Sequence, residues 1–325
     1  MDKSNGRKLA YAAISIAISV VVAFAFGELI VRLKNTNQET YDIEMWRYSN
    51  TLKHPSDDPV LGHEHVPSSS AVLQKVVIRI NSVGLRGDEV PAPHLGQRRI
   101  LFLGSSITLG WGVPEDQVLS SLIAAHFKAD GKDVVTMNAG IGNYNAERYV
   151  ELFLTKLKKL QPTDIVVHYF VNDANVLDAG GGNFLLRNSQ LAVTLWIVFN
   201  RLFEPTGEKS LIEHYQSIYS PNSDGYKAMV TALDRLAGYS KEHNIRVYLA
   251  MTPDVHNLID YKLGFLNDLM RKISDEHGFT YVDLLPSLSG ITPQQIWAMP
   301  GDPHPNATGH KLMADAIYPV LEIAQ

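Results

Sequence analysis

The chain has 325 residues, 45% of them hydrophobic and 19% charged, enough to build a large core and too apolar for a disordered or collagen-like chain. Its 29 basic residues against 34 acidic ones give a net charge of −5, so no global positive field favours nucleic acid. With no cysteine, disulfides, thiolate metal sites and cysteine nucleophiles are excluded, which leaves serine as the nucleophile to look for.

The chain opens with an uncharged run, Leu9 to Gly27, preceded by Lys3, Arg7 and Lys8. Nineteen residues in a helix nearly match a bilayer core of about 30 Å. The basic flank predicts a cytoplasmic residue range 1–8, a transmembrane signal anchor over 9–31 and export of the rest. A cleaved signal peptide is the competing reading, because Ala23-Phe24-Ala25 has the small-x-small pattern of a cleavage site, and a buried core helix is the third.

Residues 32–97 are polar and rich in proline, with one strand signal at Val72 to Ile80, and read as a connecting segment carrying a small β element. His63-Glu64-His65 lies between prolines there without the spacing of a zinc helix, and reads as surface loop.

From residue 98 to 325 short β-branched runs alternate with longer amphipathic ones, the pattern of a parallel sheet covered by helices. Strands are predicted at Arg99 to Leu103, Asp133 to Met137, Asp164 to Phe170, Arg246 to Met251 and Thr280 to Leu284. Helices are predicted at Glu115 to Lys128, Ala146 to Leu160, Asp224 to His243, Leu258 to His277 and Ala307 to Ala324, with Asp116, Asn145 and Asn306 as caps or pre-helix residues.

Asp173 to Ser223 interrupts the alternation as a long insertion. Within it Asn188 to Asn200 repeats Leu191, Leu195 and Val198 at helical spacing but is too short to span a bilayer. It reads as a helix packed on the domain, with a lid or membrane-surface contact as the alternative. Gly180-Gly181-Gly182 reads as a flexible loop, since no strand leads into it as a dinucleotide fingerprint requires.

The first predicted strand runs into Gly104-Ser105-Ser106-Ile107-Thr108-Leu109-Gly110 and then a helix, which puts serine at the carboxyl end of a strand, where open α/β sheets bind ligands. The turn lacks the lysine of a P-loop and the G-x-S-x-G of a nucleophile elbow. After the last strand comes Asp302-Pro303-His304-Pro305-Asn306. A serine nucleophile needs a base, itself oriented by a carboxylate, and each of Asp302 and His304 precedes a proline that favours extended backbone. Residues two apart then project to the same side, so Asp302 can reach His304. Two other strand ends offer oxyanion donors: the Asn172 side-chain amide, and the backbone N–H of Gly142 or Asn143.

This order of motifs resembles the SGNH, or GDSL, hydrolase family: serine in the first block, glycine in the second, asparagine in the third, histidine in the last. The likeness runs from about Asn81 to the C-terminus. It includes Asn81-Ser82-Val83-Gly84-Leu85-Arg86-Gly87, similar to a segment found before the serine block in anchored bacterial members. The resemblance implies a flavodoxin-like three-layer α/β/α fold; with the strands and the N-terminal run read above, the expected architecture is a parallel five-stranded sheet of that kind preceded by a transmembrane helix. It also implies ester hydrolysis, with Ser106, Asn172, Asp302 and His304 in the roles argued above and no metal or organic cofactor.

Three positions depart from the family pattern. Gly104-Ser105-Ser106 replaces Gly-Asp-Ser, Asn143 falls where the second-block glycine aligns with Gly142 one residue earlier, and Gly301 stands where the aspartate three before the histidine is usual.

His168 reads as a core histidine, His310 as a packing or capping one, and the sequon Asn306-Ala307-Thr308 as a coincidence of the histidine block. The expected protein is a membrane-anchored, extracytoplasmic serine esterase acting on a short acyl group of a cell-envelope or exported polysaccharide. The sequence names no protein partner. An O-acyltransferase using the same site and a non-catalytic glycan-binding or assembly module are the alternatives.

Overall fold

The computed structural model describes residues 3–177, 183–203 and 208–323, and the glycine run at 180–182 lies outside them. The chain divides into two compact units: residues 1–46 with 181–205, and residues 47–180 with 206–325.

Among the described residues, all strands belong to the larger unit. Two short antiparallel pairs come first, β1 (Lys53–Pro55) with β2 (His63–His65), and β3 (Ser69–Leu73) with β4 (Val76–Ile80). The predicted single strand over Val72 to Ile80 is thus a hairpin. Its turn residues Gln74 and Lys75 both have positive φ, 48° and 65°, without the glycine or asparagine that would have announced a tight turn. The predicted loop at His63-Glu64-His65 is also corrected. It is a strand, and His65 is buried, because three polar residues carry no apolar alternation that sequence reading could detect.

The central sheet contains β5 (Arg98–Gly104), β6 (Val134–Gly140), β7 (Asp164–Phe170), β8 (Arg246–Thr252) and β9 (Thr280–Asp283), all parallel, in the order β6-β5-β7-β8-β9. These are the five predicted strands, within a few residues at each end. The strands are buried on both faces, which is why they read as apolar runs.

Alternation along β5 divides the core. Leu101 and Leu103 pack with Tyr149, Phe153, Leu233 and Met270 of helices on one face. Ile100 and Phe102 pack with Ile123, Phe127, Met313 and Ile317 on the other. At the amino ends of the strands the buried Asp164 carboxylate joins Arg98 and Arg246 at 2.8 and 2.9 Å, fastening β5, β7 and β8 together. Burial alone would raise its pKa, but the hydrogen bonds and charge of the arginines hold it below the usual carboxylate value.

The helices Asp224–Glu242 and Ala307–Ile323 match their predicted spans closely. Asn145 and Asn306 cap as expected: Asn145 Oδ1 accepts from Arg148 N, and Asn306 Oδ1 from Thr308 N and Gly309 N. Asp116 does not cap. It sits in a 3₁₀ turn, and the helix Leu119–Ala129 begins after Val118, which supplies no cap from its own side chain. The predicted helix from Leu258 begins only at Gly264. The predicted helix Ala146 to Leu160 is an α-helix over Ala146–Leu152 that widens into a π-helical turn and closes in a 3₁₀ turn. A last antiparallel pair, β10 (Trp297–Met299) with β11 (Asp302–Pro305), follows the central sheet in the chain.

In the smaller unit the helix Lys3–Lys34 is, among the described residues, the one long and apolar enough to cross a membrane. The insertion helix Gln190–Arg201 packs on it. The Glu28 carboxylate accepts from Ser189 Oγ, Gln190 N and Leu191 N at 2.8, 3.1 and 2.9 Å, and Asn35 Nδ2 donates to Gln190 Oε1 at 3.0 Å. A carboxylate on a helix N-terminus satisfies amides that otherwise lack partners.

Candidate active site

The switch in strand order lies between β5 and its neighbours β6 and β7, which makes the carboxyl end of β5 the place where open α/β sheets bind ligands. There the chain turns into a short helix, Ser106–Leu109. Gly104 permits the turn: a Cβ on it would lie 2.0 Å from Thr108 Oγ1 and 2.7 Å from the His168 carbonyl. Ser106 is the first helical residue, and its Oγ lies 2.8 Å from His304 Nε2. Ser105 faces elsewhere, its hydroxyl bonded to the buried Asp173 carboxyl, whose pKa burial pushes up to about 8.

His304 lies on β11, and its Nδ1 is 2.6 Å from Asp302 Oδ1, which also accepts from His304 N at 3.1 Å. The two-residue spacing brings the carboxylate onto the imidazole because the extended strand turns both side chains to one side. The Asp302 carboxylate is fully buried, and Gln74 Nε2 donates to its other oxygen at 2.6 Å. Burial raises its pKa, but hydrogen bonds and charge from His304, with Gln74, outweigh that and hold it below the ordinary value. Gln74, on the β3–β4 turn 228 residues from Asp302, was not foreseen, and nothing in its local sequence marks it.

Asn172 follows β7. Its Oδ1 accepts from Asn175 Nδ2, and Asn145 Nδ2 in turn donates to the Asn175 carbonyl at 2.8 Å. The Asn172 amide group is thereby oriented while its own N–H bonds find no acceptor among the described residues.

The loop after β6 behaves differently at its two predicted donors. Gly142 N–H is already donated to Tyr48 Oη at 3.0 Å, so it is not free for an oxyanion, a correction to the expectation for Gly142. Asn143 N–H donates to no group among the described residues. Asn143 has φ 63°, in the left-handed region that favours glycine and next admits asparagine, so its backbone suits the asparagine found there. Gly142 is itself constrained, since a Cβ there would lie 2.6 Å from Tyr48 Cε1.

His168 and His310 hold packing and capping positions. His168 is buried between Thr108 Oγ1 and Thr252 Oγ1 at 3.1 and 2.7 Å, and burial lowers its pKa to about 4. His310 accepts from Leu119 N through Nδ1 and so caps the helix Leu119–Ala129. Asn306 spends its side-chain amide on the Gln295 and Trp297 carbonyls. Among the described residues no group of three or more histidine, aspartate and glutamate side chains could hold a metal ion.

The arrangement can polarise a hydroxyl. A neutral imidazole accepts the Ser106 proton through Nε2 only if Nδ1 carries its own proton, and Asp302 holds that proton in place.

Residues 102–312 match the model of the GDSL-like lipase/acylhydrolase family. No curated protein matches the chain. Similar solved structures include a two-domain esterase (CEX) active on acetylated mannans, 18% identical, with a TM-score of 0.45, covering 70% of this chain. This chain spans 49% of that protein, about half its length. The psychrotrophic esterase EstA from Pseudoalteromonas sp. is 18% identical over 70% of this chain and 98% of its own, with a TM-score of 0.45. The lipase/acylhydrolase from Enterococcus faecalis is 16% identical over 70% of this chain and 96% of its own, with a TM-score of 0.44.

Proposed function

The chain belongs to the GDSL-like lipase/acylhydrolase family and is a hydrolase acting on ester bonds; on that premise we propose that it is a membrane-anchored serine esterase with Ser106 as its nucleophile. The carrying observation is the continuous line Ser106 Oγ, His304 Nε2, His304 Nδ1, Asp302 Oδ1, with contacts of 2.8 and 2.6 Å.

In the proposed reaction Ser106 Oγ attacks the acyl carbonyl as His304 Nε2 takes its proton. The imidazolium is stabilised by Asp302, and the carbonyl oxygen becomes an oxyanion facing the Asn172 amide and the Asn143 N–H. Collapse breaks the ester bond, and His304 passes its proton to the leaving alcohol oxygen. Water, deprotonated by the same imidazole, then attacks the acyl-serine, releasing the carboxylic acid and restoring Ser106.

The substrate reading is an O-acetyl or other short acyl group on a cell-envelope or exported polysaccharide. It rests on the apolar N-terminal helix with its basic flank, read as a signal anchor over residues 9–31 that leaves residues 32–97 and the hydrolase domain 98–325 outside the cytoplasm. The test is release of acetate from acetylated polysaccharide by the full chain in detergent. Wild type should release it and Ser106→Ala should not, and equal release by both would overturn the assignment.

A further inference from the structure

The peptide between Gly142 and Asn143 is held by three side chains that lie far before the serine block. Lys53 Nζ and His63 Nε2 both donate to the Gly142 carbonyl, at 2.6 and 3.0 Å, and Tyr48 Oη accepts the Gly142 N–H at 3.0 Å. Both lone pairs of that carbonyl are thus engaged.

Tyr48 is fixed in turn. Its hydroxyl lies 2.6 Å from His65 Nε2, and His65 Nδ1 lies 2.9 Å from the Gly84 carbonyl. A carbonyl can only accept, so His65 carries its proton on Nδ1, Nε2 receives the Tyr48 proton, and Tyr48 Oη is left to accept from Gly142. Burial lowers the pKa of His65, and of His63, to about 3, which keeps both rings neutral. Lys53 also lies over the Tyr48 ring, 4.4 Å from its centroid. One residue further on, Arg148 Nη1 donates to the Asn143 carbonyl at 3.2 Å.

In a trans peptide the C=O of one residue and the N–H of the next point in opposite directions. Pinning the Gly142 carbonyl on Lys53 and His63 therefore sets the direction of the Asn143 N–H, the loop donor with no acceptor among the described residues. Burial, with the nearby Arg148 charge, lowers the pKa of Lys53 to about 7; charged or neutral, its amine donates to the same carbonyl, which polarises the peptide and strengthens its N–H as a donor.

We propose that Tyr48, Lys53 and His63 form a clasp that aims and polarises the Asn143 N–H, making these three residues of the segment before the hydrolase domain positioning residues for oxyanion stabilisation. The inference rests on the reading of Asn143 as an oxyanion donor and deepens it. It gives β1 and β2 a purpose in the reaction: they carry Lys53 and His63 to the loop after β6. It also explains why glycine is required at 142 and asparagine suffices at 143. The first residue must lie against the Tyr48 ring, whereas the second needs only a left-handed backbone and its N–H.

The experiment compares the full chain in detergent with Tyr48→Phe and Lys53→Met, using p-nitrophenyl acetate as substrate. A fluorophosphonate taken to completion counts the active sites. Each variant should lose about tenfold in kcat per titrated site with KM unchanged within about twofold, less than the 10²–10³ for deleting a donor outright because the N–H is misaimed and not removed. Combined with Asn172→Ala, the losses should be less than multiplicative, since both groups act on one oxyanion.

A purely structural role would lower the number of titratable sites and the melting temperature while leaving kcat per site intact. That result overturns the clasp, as does a rise in KM at unchanged kcat. Lys53→Met removes a donor without touching the buried Tyr48 hydroxyl, so it remains informative if Tyr48→Phe fails to fold. If wild type neither hydrolyses the ester nor is labelled at Ser106, the serine-esterase reading itself falls and the clasp with it. A wild type that turns over beside variants that match it per site removes the clasp alone.

Discussion

Two Asp-x-His units in this chain have nearly the same geometry. In one, Asp302 Oδ1 accepts from His304 N and Nδ1 at 3.1 and 2.6 Å. In the other, Asp254 Oδ1 accepts from His256 N and Nδ1 at 2.9 and 2.7 Å. Even the second carboxylate oxygens are matched, by Gln74 at Asp302 and by the Tyr215 hydroxyl at Asp254. Trp297 adjoins both, donating its Nε1 proton to the Val255 carbonyl and pairing across β10 and β11 with Pro305.

The difference lies at the far nitrogen. His304 is 13% exposed with Ser106 on its Nε2, whereas the His256 side chain is 53% exposed and its Nε2 meets no partner among the described residues. An aspartate accepting the N–H two residues on is a local turn habit, and a histidine at that position finds the same carboxylate without any catalytic purpose. What singles out His304 is the serine delivered to it by β5 from 198 residues away.

The sharpest way to break this comparison is to remove each imidazole. His304→Ala, like Ser106→Ala, should lower kcat for p-nitrophenyl acetate by about 10³ or more, while His256→Ala should stay within about twofold, measured per folded protein. Next, Asp302→Asn should cost about 10³–10⁴ in kcat through loss of the carboxylate that fixes the tautomer. Asp254→Asn should instead leave turnover intact and lower stability by about 1–3 kcal/mol, read by denaturant titration, because it disturbs the bonds to Tyr215 and His256.

A smaller effect is expected at Gln74. Gln74→Leu removes one hydrogen bond to a buried carboxylate and should reduce kcat by about tenfold, with KM held.

The smallest effect is on pH-dependent stability. The hydrogen bond to Asp254, opposed by burial, raises the pKa of His256 above its usual value. A raised folded pKa stabilises the protein below the unfolded pKa of about 6.5 and loses that contribution as pH rises through the folded value. The melting-temperature deficit of His256→Gln should therefore be larger at pH 5.5 than at pH 8.5, and modest in size because the ring is half exposed. An equal deficit at both values would show that the ion pair contributes nothing.

The comparison also shows which features sequence reading could reach. The five strands of the sheet were legible because burial on both faces leaves an unbroken apolar run, and Ser106 stands out in the sequence because it follows the first of them. Residues that support them were not legible. Gln74 sits on a hairpin turn made without glycine, and Lys53 and His63 sit on three-residue polar strands with no period to detect. Their roles arise from contacts between residues about 80 to 230 positions apart. The availability of the Gly142 N–H was misjudged for the same reason, since its acceptor, Tyr48, is 94 residues away.

The most direct measurement is fluorophosphonate labelling of the full chain, located by mass spectrometry, in wild type, His304→Ala and His256→Ala. The account predicts a label on Ser106 in wild type and His256→Ala that disappears in His304→Ala. Labelling of Ser106 that survives the loss of His304, or that depends on His256, would contradict it.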